Sequence, residues 1–254
     1  MEAALIASER GIEVEFWGKE GVLGGGALLA AGSPSFKYNM MNYAEYLVNK
    51  LNRSQVKVRM LKDGNAEEIV KGNYGAVIIA TGSVPLCPPI PCSCYNMITY
   101  ANDVLTNSLH TGKKSVIIGD GLIGVETALS LIDQGKGAVV IEMMDQVLPA
   151  ADHALNSHLK LMDLIAEKKL VAITSAKVLS IANNQLVYEK DGEQHVVACD
   201  TVILACGLLP NNGLAKELES MRIEPIVIGD SKSPRKVFNA VHEGYHTARM
   251  LFAD

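Results

Sequence analysis

An apolar strand that runs straight into a glycine-patterned turn and then a helix constrains the fold more than any other part of this chain. Ser115–Ile118 reads as the strand, Gly119-Asp120-Gly121-Leu122-Ile123-Gly124 as the turn, and Gly124–Gln134 as the helix. Glu142 follows Gly124 by 18 residues, at the end of the next strand pattern, Ala138–Glu142. Each glycine answers a different steric demand. Gly119 permits the tight turn, Gly121 lets the backbone approach a pyrophosphate, and Gly124 lets the helix pack close to the strand. The helix start at Leu122 and Ile123 offers free N–H groups and the positive end of a dipole to an anion. Glu142 is placed to accept hydrogen bonds from the 2′- and 3′-hydroxyls of an adenosine ribose. Met143 and Met144 after it have nothing to pair with a 2′-phosphate, so the pattern predicts NADH rather than NADPH.

The same unit is written twice. Met1 onward aligns with Val125 onward, pairing Glu2 with Glu126, Ala4 with Ala128, Leu5 with Leu129 and Gly11 with Gly135. Val77–Gly82 matches Val202–Gly207 at an offset of 125 residues instead of 124. On this alignment the first copy has no counterpart of the strand and glycine turn, and Gly18 stands where the second has Glu142. A doubly wound sheet puts that strand at its centre. Its four or so buried side chains are worth ~1.5–3 kcal/mol each, against ~5–15 kcal/mol of net stability for a whole domain. The first unit is therefore expected to be unstable alone, either as a fragment of a longer polypeptide or with a partner strand completing its sheet. Leu23-Gly24-Gly25-Gly26 remains, a glycine run suited to close ligand approach or equally to a plain loop.

Strand and helix signals alternate, so the fold class expected is α/β, two tandem Rossmann-like units with parallel sheets. Residues 111–212 form the NAD-binding unit, inserted in an FAD-type unit made of 1–110 and 213–254. In the latter the pattern predicts a helix over Met1–Arg10, a strand at Glu13–Trp17, a helix at Asn42–Asn52 and strands at Val56–Met60 and Ala76–Ala80, the last fully buried. Late in the NAD unit come strands at Lys177–Ile181, Gln185–Glu189 and His195–Cys199, broken by turns at Asn183-Asn184 and Asp191-Gly192. A strand at Pro225–Ile228, then Gly229-Asp230 and a helix over Val237–Leu251, end the chain.

With a formal net charge of −5 and no block of basic residues, the chain is a poor partner for nucleic acid or an anionic membrane. The start lacks the basic and apolar regions of a signal peptide, and no apolar stretch approaches the ~20 residues of a membrane span. A cytoplasmic location is expected. The five cysteines, Cys87, Cys92, Cys94, Cys199 and Cys206, have neither disulfide-framework nor zinc spacing and read as incidental thiols.

The glycine fingerprint, the two Ala-Thr-Gly-like strand ends at Ala80-Thr81-Gly82 and Ala205-Cys206-Gly207, and the late Gly229-Asp230 resemble the two-dinucleotide-binding-domain flavoprotein reductases. The resemblance is nearest to the C-terminal region of the old yellow enzyme-like NADH:flavin oxidoreductases, the 2,4-dienoyl-CoA reductase and enoate reductase group. It implies that Gly119, Gly121, Gly124, Glu142 and Gly207 hold NADH. It also implies that Ala80, Thr81 and Gly82 line an FAD site, with Gly229 and Asp230 at the flavin's ribityl and pyrophosphate region. An NADH-dependent oxidoreductase module follows, passing electrons through FAD to another redox centre. The alternative is a degenerate nucleotide-binding module without its own FAD. That group carries an N-terminal barrel with FMN and an iron–sulfur cluster, so a missing flavin/iron–sulfur domain or partner subunit is implied. Ala27-Leu28-Leu29 stands where disulfide-reductase relatives carry a cysteine pair, which argues against a dithiol relay.

His242-Glu243-Gly244-Tyr245-His246 matches the zinc-protease motif letter for letter. Gly244 weakens the helix that motif needs, and the eight residues after His246 supply no third ligand, so it is read as a coincidence. His153 and His158 are read as the surface of an amphipathic helix.

Overall fold

A computed structural model describes residues 1–106, 109–148, 155–182 and 184–253. His153 and Asn183 lie outside the described residues. The chain divides into two compact units, one of residues 1–29, 39–84 and 208–254, the other of residues 30–38 and 85–207. Both are α/β with parallel strand pairing.

The second unit is built on five parallel strands in the order Ile98–Tyr100, Thr201–Leu204, Lys114–Ile118, Gly137–Ile141, Val171–Ile173. Lys114–Ile118 is central, and its last four residues are buried, as are all four of Thr201–Leu204. Such continuous apolar runs are what a strand covered on both faces requires. On one face Ile117, Val140 and Ile203 pack against Val125, Ala128 and Leu129 of the helix Leu122–Asp133. On the other, Val116, Ile141 and Val202 meet Ile181 and Leu186 of a three-stranded antiparallel sheet. That sheet, formed by Ala176–Ala182, Gln185–Lys190 and Glu193–Ala198, turns at Asp191 and Gly192, both of positive φ.

The first unit has two separate parallel pairs, Glu15–Gly18 with Lys57–Met60 and Ile78–Ile79 with Ile226–Val227. On the internal repeat these pairs correspond to the two flanks of the central strand in the second unit. No residue of Glu15–Gly18 is fully buried. The expectation of a fully buried strand at Ala76–Ala80 is corrected here. The strand is only Ile78–Ile79, with Ile79 buried, Val77 half-buried and Ala80 exposed. A strand is buried by its lateral neighbours as well as by covering helices, and here one neighbour is absent among the described residues.

Helix packing covers one face of these strands. The helix Glu2–Glu9 lies against the helix Val237–Met250, and Ile6, Ala7, Ala248 and Leu251 form a buried cluster with Val14 and Ile78 against it. A Cβ on Gly244 would come within 3.2 Å of the Ala3 nitrogen, so glycine is what allows the two helices to approach. Arg10 Nη1 then donates to the carbonyls of Ala248 and Leu251, each at 2.6 Å, satisfying groups that a helix C-terminus leaves open. The glycine run expected near Leu23–Gly26 continues as a helix, Gly26–Gly32. Two further helices, Ala66–Lys71 and Gly213–Ser220, carry no long apolar period and were not predicted.

Candidate nucleotide-binding site

The three fingerprint glycines separate into two kinds. Gly119 has φ +101°, and a Cβ there would sit 2.5 Å from the Ala205 carbonyl oxygen. A Cβ on Gly124 would sit 2.0 Å from the Gly119 oxygen and 3.2 Å from the Ala205 Cβ. Both are demanded by the fold itself, because strand, turn and helix close on one another at these points. Gly121 differs. Its φ of −58° and ψ of 175° suit any residue, and a Cβ there meets nothing within 4 Å. Among the described residues nothing needs a glycine at 121. The space it leaves lies at the N-terminus of a 12-residue helix, beside Leu122 and Ile123, where free N–H groups favour an anion. Gly207, at φ +109°, likewise opens onto empty space.

Glu142 is half-buried at the end of the strand Gly137–Ile141. Its Oε2 accepts the Asp120 backbone N–H at 3.1 Å and its Oε1 accepts the Met144 N–H at 2.8 Å. Two backbone donors thus fix the carboxylate beside the glycine turn, and each oxygen keeps lone-pair capacity for a ribose hydroxyl.

Asp120, between the first two glycines, is 1 % exposed, and its Oδ2 accepts the Leu148 N–H at 3.2 Å. Burial first, and then the neighbouring Glu142 carboxylate, push its carboxyl up to about 6. Sequence reasoning passed over this residue, since the motif places no demand on the position. A charged residue ringed by glycines and apolar strand was the available signal.

Cys206, in the position that Thr81 holds in the first unit, hydrogen-bonds through Sγ to the Ile118 carbonyl at 3.4 Å. Burial pushes its thiol up to about 11, so it stays protonated and unreactive as a nucleophile. A second missed feature is Glu126, 2 % exposed within an apolar helix and paired with Lys37. Burial raises its carboxyl above the usual range while Lys37 pulls the other way.

In the first unit, Ala80, Thr81 and Gly82 follow the Ile78–Ile79 strand. Thr81 Oγ1 bonds to the Asn211 carbonyl at 2.5 Å, and Gly82 has φ +75° with open space where a Cβ would be. Ser83 Oγ lies 3.5 Å from Asp230 Oδ2, and Ser231 Oγ donates to the Ile79 carbonyl at 3.1 Å. The Ala-Thr-Gly and Gly-Asp segments are therefore neighbours. Gly18, Glu15 and Trp17 behave as ordinary strand residues, with Glu15 accepting from Tyr74 at 2.7 Å and from Trp17 at 3.2 Å.

The zinc-like motif has other work. Glu243 accepts the Gly229 N–H at 2.7 Å and pairs with Arg235, which together hold its carboxyl below the usual range against the opposing effect of partial burial. His242 lies tilted against Phe238, with ring centres 4.0 Å apart and the planes 35° from parallel. Among the described residues no group of three metal-binding side chains assembles. No helix among them is long and apolar enough to cross a membrane.

The family described as pyridine nucleotide-disulphide oxidoreductase matches residues 7–230. Among curated proteins, the bilirubin reductase of Mediterraneibacter gnavus is 32% identical over 252 residues, covering 99% of this chain and 39% of that protein. The NADH oxidase of Thermoanaerobacter brockii is 33% identical over 254 residues, covering 98% of this chain and 39% of that one. The cinnamate reductase of Clostridium sporogenes is 29% identical over 252 residues, with 99% and 37% covered. The chain spans well under half the length of these relatives. Of solved structures, a 2-naphthoyl-CoA reductase complex superimposes with a TM-score of 0.89 at 24% identity, over 97% of this chain and 37% of that one. The thioredoxin reductase of T. acidophilum gives 0.72 at 21% identity, over 98% and 92%. These two likenesses establish the fold.

Proposed function

Since this chain belongs to the pyridine nucleotide-disulphide oxidoreductase family, we propose that it is an NADH-dependent flavoprotein oxidoreductase module that passes electrons from NADH through FAD to a further redox centre. The observation that carries this reading is Gly121. The fold does not need a glycine there, yet one stands at the mouth of a helix N-terminus beside a carboxylate oriented by two backbone N–H groups. The residues present fit NADH. Gly121, Leu122 and Ile123 hold the pyrophosphate, Glu142 accepts from the adenosine ribose, and Gly119 and Gly124 keep the turn in shape. Gly207 leaves room for the rest of the dinucleotide.

FAD fits in part. Ala80, Thr81, Gly82, Gly229 and Asp230 supply one side of its site, while the glycine turn and ribose acid that the second unit possesses have no counterpart in the first. A bound FAD would supply the hydride acceptor for the nicotinamide and the onward release of electrons. The two open strand pairs of the first unit suit completion by one more parallel strand, from a longer polypeptide or a partner. We assign the module to the old yellow enzyme-like NADH:flavin oxidoreductases, because reductases and an oxidase of much greater length share nearly its whole span. In that setting the electrons leave for a flavin or iron–sulfur domain, in the cytoplasm. Ala27-Leu28-Leu29 argues against a dithiol relay. The half-buried strands of the first unit favour one second reading, a degenerate module that binds nucleotide without FAD.

Purified protein incubated with FAD and desalted distinguishes the two. A yellow protein that bleaches when NADH is added without oxygen supports the oxidoreductase module. A protein that retains no FAD but binds NADH supports the degenerate module.

A further inference from the structure

The glycine turn brings two carboxyl groups together in little space, and only one of them, Glu142, belongs to the nucleotide-binding pattern. Asp120 is the other. Its backbone N–H holds Glu142 Oε2 at 3.1 Å, while its own carboxyl is 1 % exposed and anchored by the Leu148 N–H at 3.2 Å. Leu148 is itself buried, with φ +54°, so this anchor fixes the end of the stretch that starts at Met143. The 3.1 Å contact from the Asp120 N–H sets the Glu142 carboxylate beside the Asp120 residue, and Glu142 adds to the upward push on its carboxyl. Flanked by Gly119 and Gly121, Asp120 also adjoins the space left for a doubly anionic pyrophosphate.

We propose that Asp120 and Glu142 act as one carboxyl pair, in which Asp120 takes up a proton as NADH binds and holds Glu142 in position for the ribose. This rests on the NADH reading above. The balance is simple. One proton enters from solvent and lands on the Asp120 carboxyl, no bond to the nucleotide forms or breaks, and no electron moves. Protonated Asp120 keeps one oxygen for the Leu148 N–H and donates from the other to Glu142, which keeps its acceptor capacity for the ribose hydroxyls. Ionised Asp120 would instead face both Glu142 and the pyrophosphate with little water to screen it.

The environment makes Asp120 the group to yield. Burial and Glu142 already hold its carboxyl at about 6, so a nearby dianion raises it into the neutral range. Among the described residues, the Cys206 thiol after the Thr201–Leu204 strand is a further titratable group acted on by Glu142, with Cys87 acting on it in turn. At about 11 it stays neutral throughout the relevant range. Leu148 contributes only a backbone N–H. Asp120 is a positioning residue, acting on the nucleotide through Glu142 and through charge.

The test uses the full chain and NADH itself. Calorimetric titration at about pH 7 in two buffers of different protonation enthalpy measures proton uptake directly, without any variant. The expected result is a net uptake of up to about one proton per NADH, with affinity falling as pH rises above about 6, by at most about tenfold per pH unit. In Asp120→Asn the uptake vanishes, the pH profile flattens and NADH binds more tightly than to the wild type at about pH 8. Equal heats in both buffers, or an unchanged pH profile in Asp120→Asn, overturn the proposal and leave the NADH reading intact. No NADH binding at any pH overturns both.

Discussion

Replacing Gly121 by alanine separates what the fold needs from what the ligand needs. The backbone at 121 is already in a conformation open to any L-residue, and a Cβ there touches nothing within 4 Å. Alanine also has fewer unfolded conformations than glycine, which at a compatible site stabilises by about 0.4–1 kcal/mol. Gly121→Ala is therefore expected to unfold at the same urea concentration as the wild type or slightly higher. The methyl group projects where a pyrophosphate must approach the helix N-terminus, so NADH affinity is expected to fall by at least about tenfold, or 1.4 kcal/mol. Gly124→Ala is the counterpart. There the added carbon lies 2.0 Å from the Gly119 oxygen, a backbone atom that cannot step aside cheaply. Overpacking of this kind costs about 1–3 kcal/mol, enough to outweigh the gain of about 1 kcal/mol that alanine brings to a helix interior. Urea unfolding paired with NADH fluorescence titration reads both effects. A Gly121→Ala protein that loses more than about 1 kcal/mol of stability, or that binds NADH as the wild type does, refutes the reasoning.

Three further outcomes are expected. Glu142→Ala should weaken NADH binding by about 1–3 kcal/mol, the value of a charged hydrogen bond, and unchanged affinity in a fluorescence titration would remove Glu142 from the site. Lys37→Met should destabilise the protein by about 1–3 kcal/mol near neutral pH, less than for a fully buried pair because Lys37 is partly exposed. Glu126 has a raised carboxyl in the folded state, so its contribution is intact below its unfolded range and is lost as pH rises through the folded value; without Lys37 that value climbs further. The gap between Lys37→Met and wild type in urea unfolding should therefore widen from acid to neutral pH, and a gap that narrows contradicts the assignment. Arg10→Ala removes two 2.6 Å hydrogen bonds to the end of the Val237–Met250 helix and should cost about 1–3 kcal/mol, read from the same unfolding curves.

The second unit was legible in the sequence because every local signal agreed. Ser115–Ile118, the glycine turn, the helix after it and Glu142 each have one structural solution, and the apolar runs are buried on both faces as such runs must be. The first unit was less legible because burial depends on neighbours that a residue pattern does not reveal. Val77, Ile78 and Ile79 read as a core strand, yet among the described residues they have a lateral neighbour on one side only, and of the three only Ile79 is fully buried. The helix Ala66–Lys71 was missed although its cap was written out, with Asn65 accepting from the Glu68 N–H at 3.0 Å. Six residues are too few to show a period. In the site, Glu142 could be found because the motif fixes its spacing. Asp120 showed only as a charge set among glycines and apolar strand, and the Glu126–Lys37 pair not at all, since their meaning comes from partners 22 to 89 positions away or from burial rather than from neighbours in sequence.

The central claim is an intact NADH site at Gly119–Gly124 and Glu142, and direct comparison of NADH with NADPH tests it most sharply. Calorimetric titration of the full chain is expected to show one site that prefers NADH by at least about tenfold, because a 2′-phosphate meets the Glu142 carboxylate at close range. Glu142→Ala should erase most of that preference. Equal or tighter binding of NADPH by the wild type, or no binding of either nucleotide, would contradict the account.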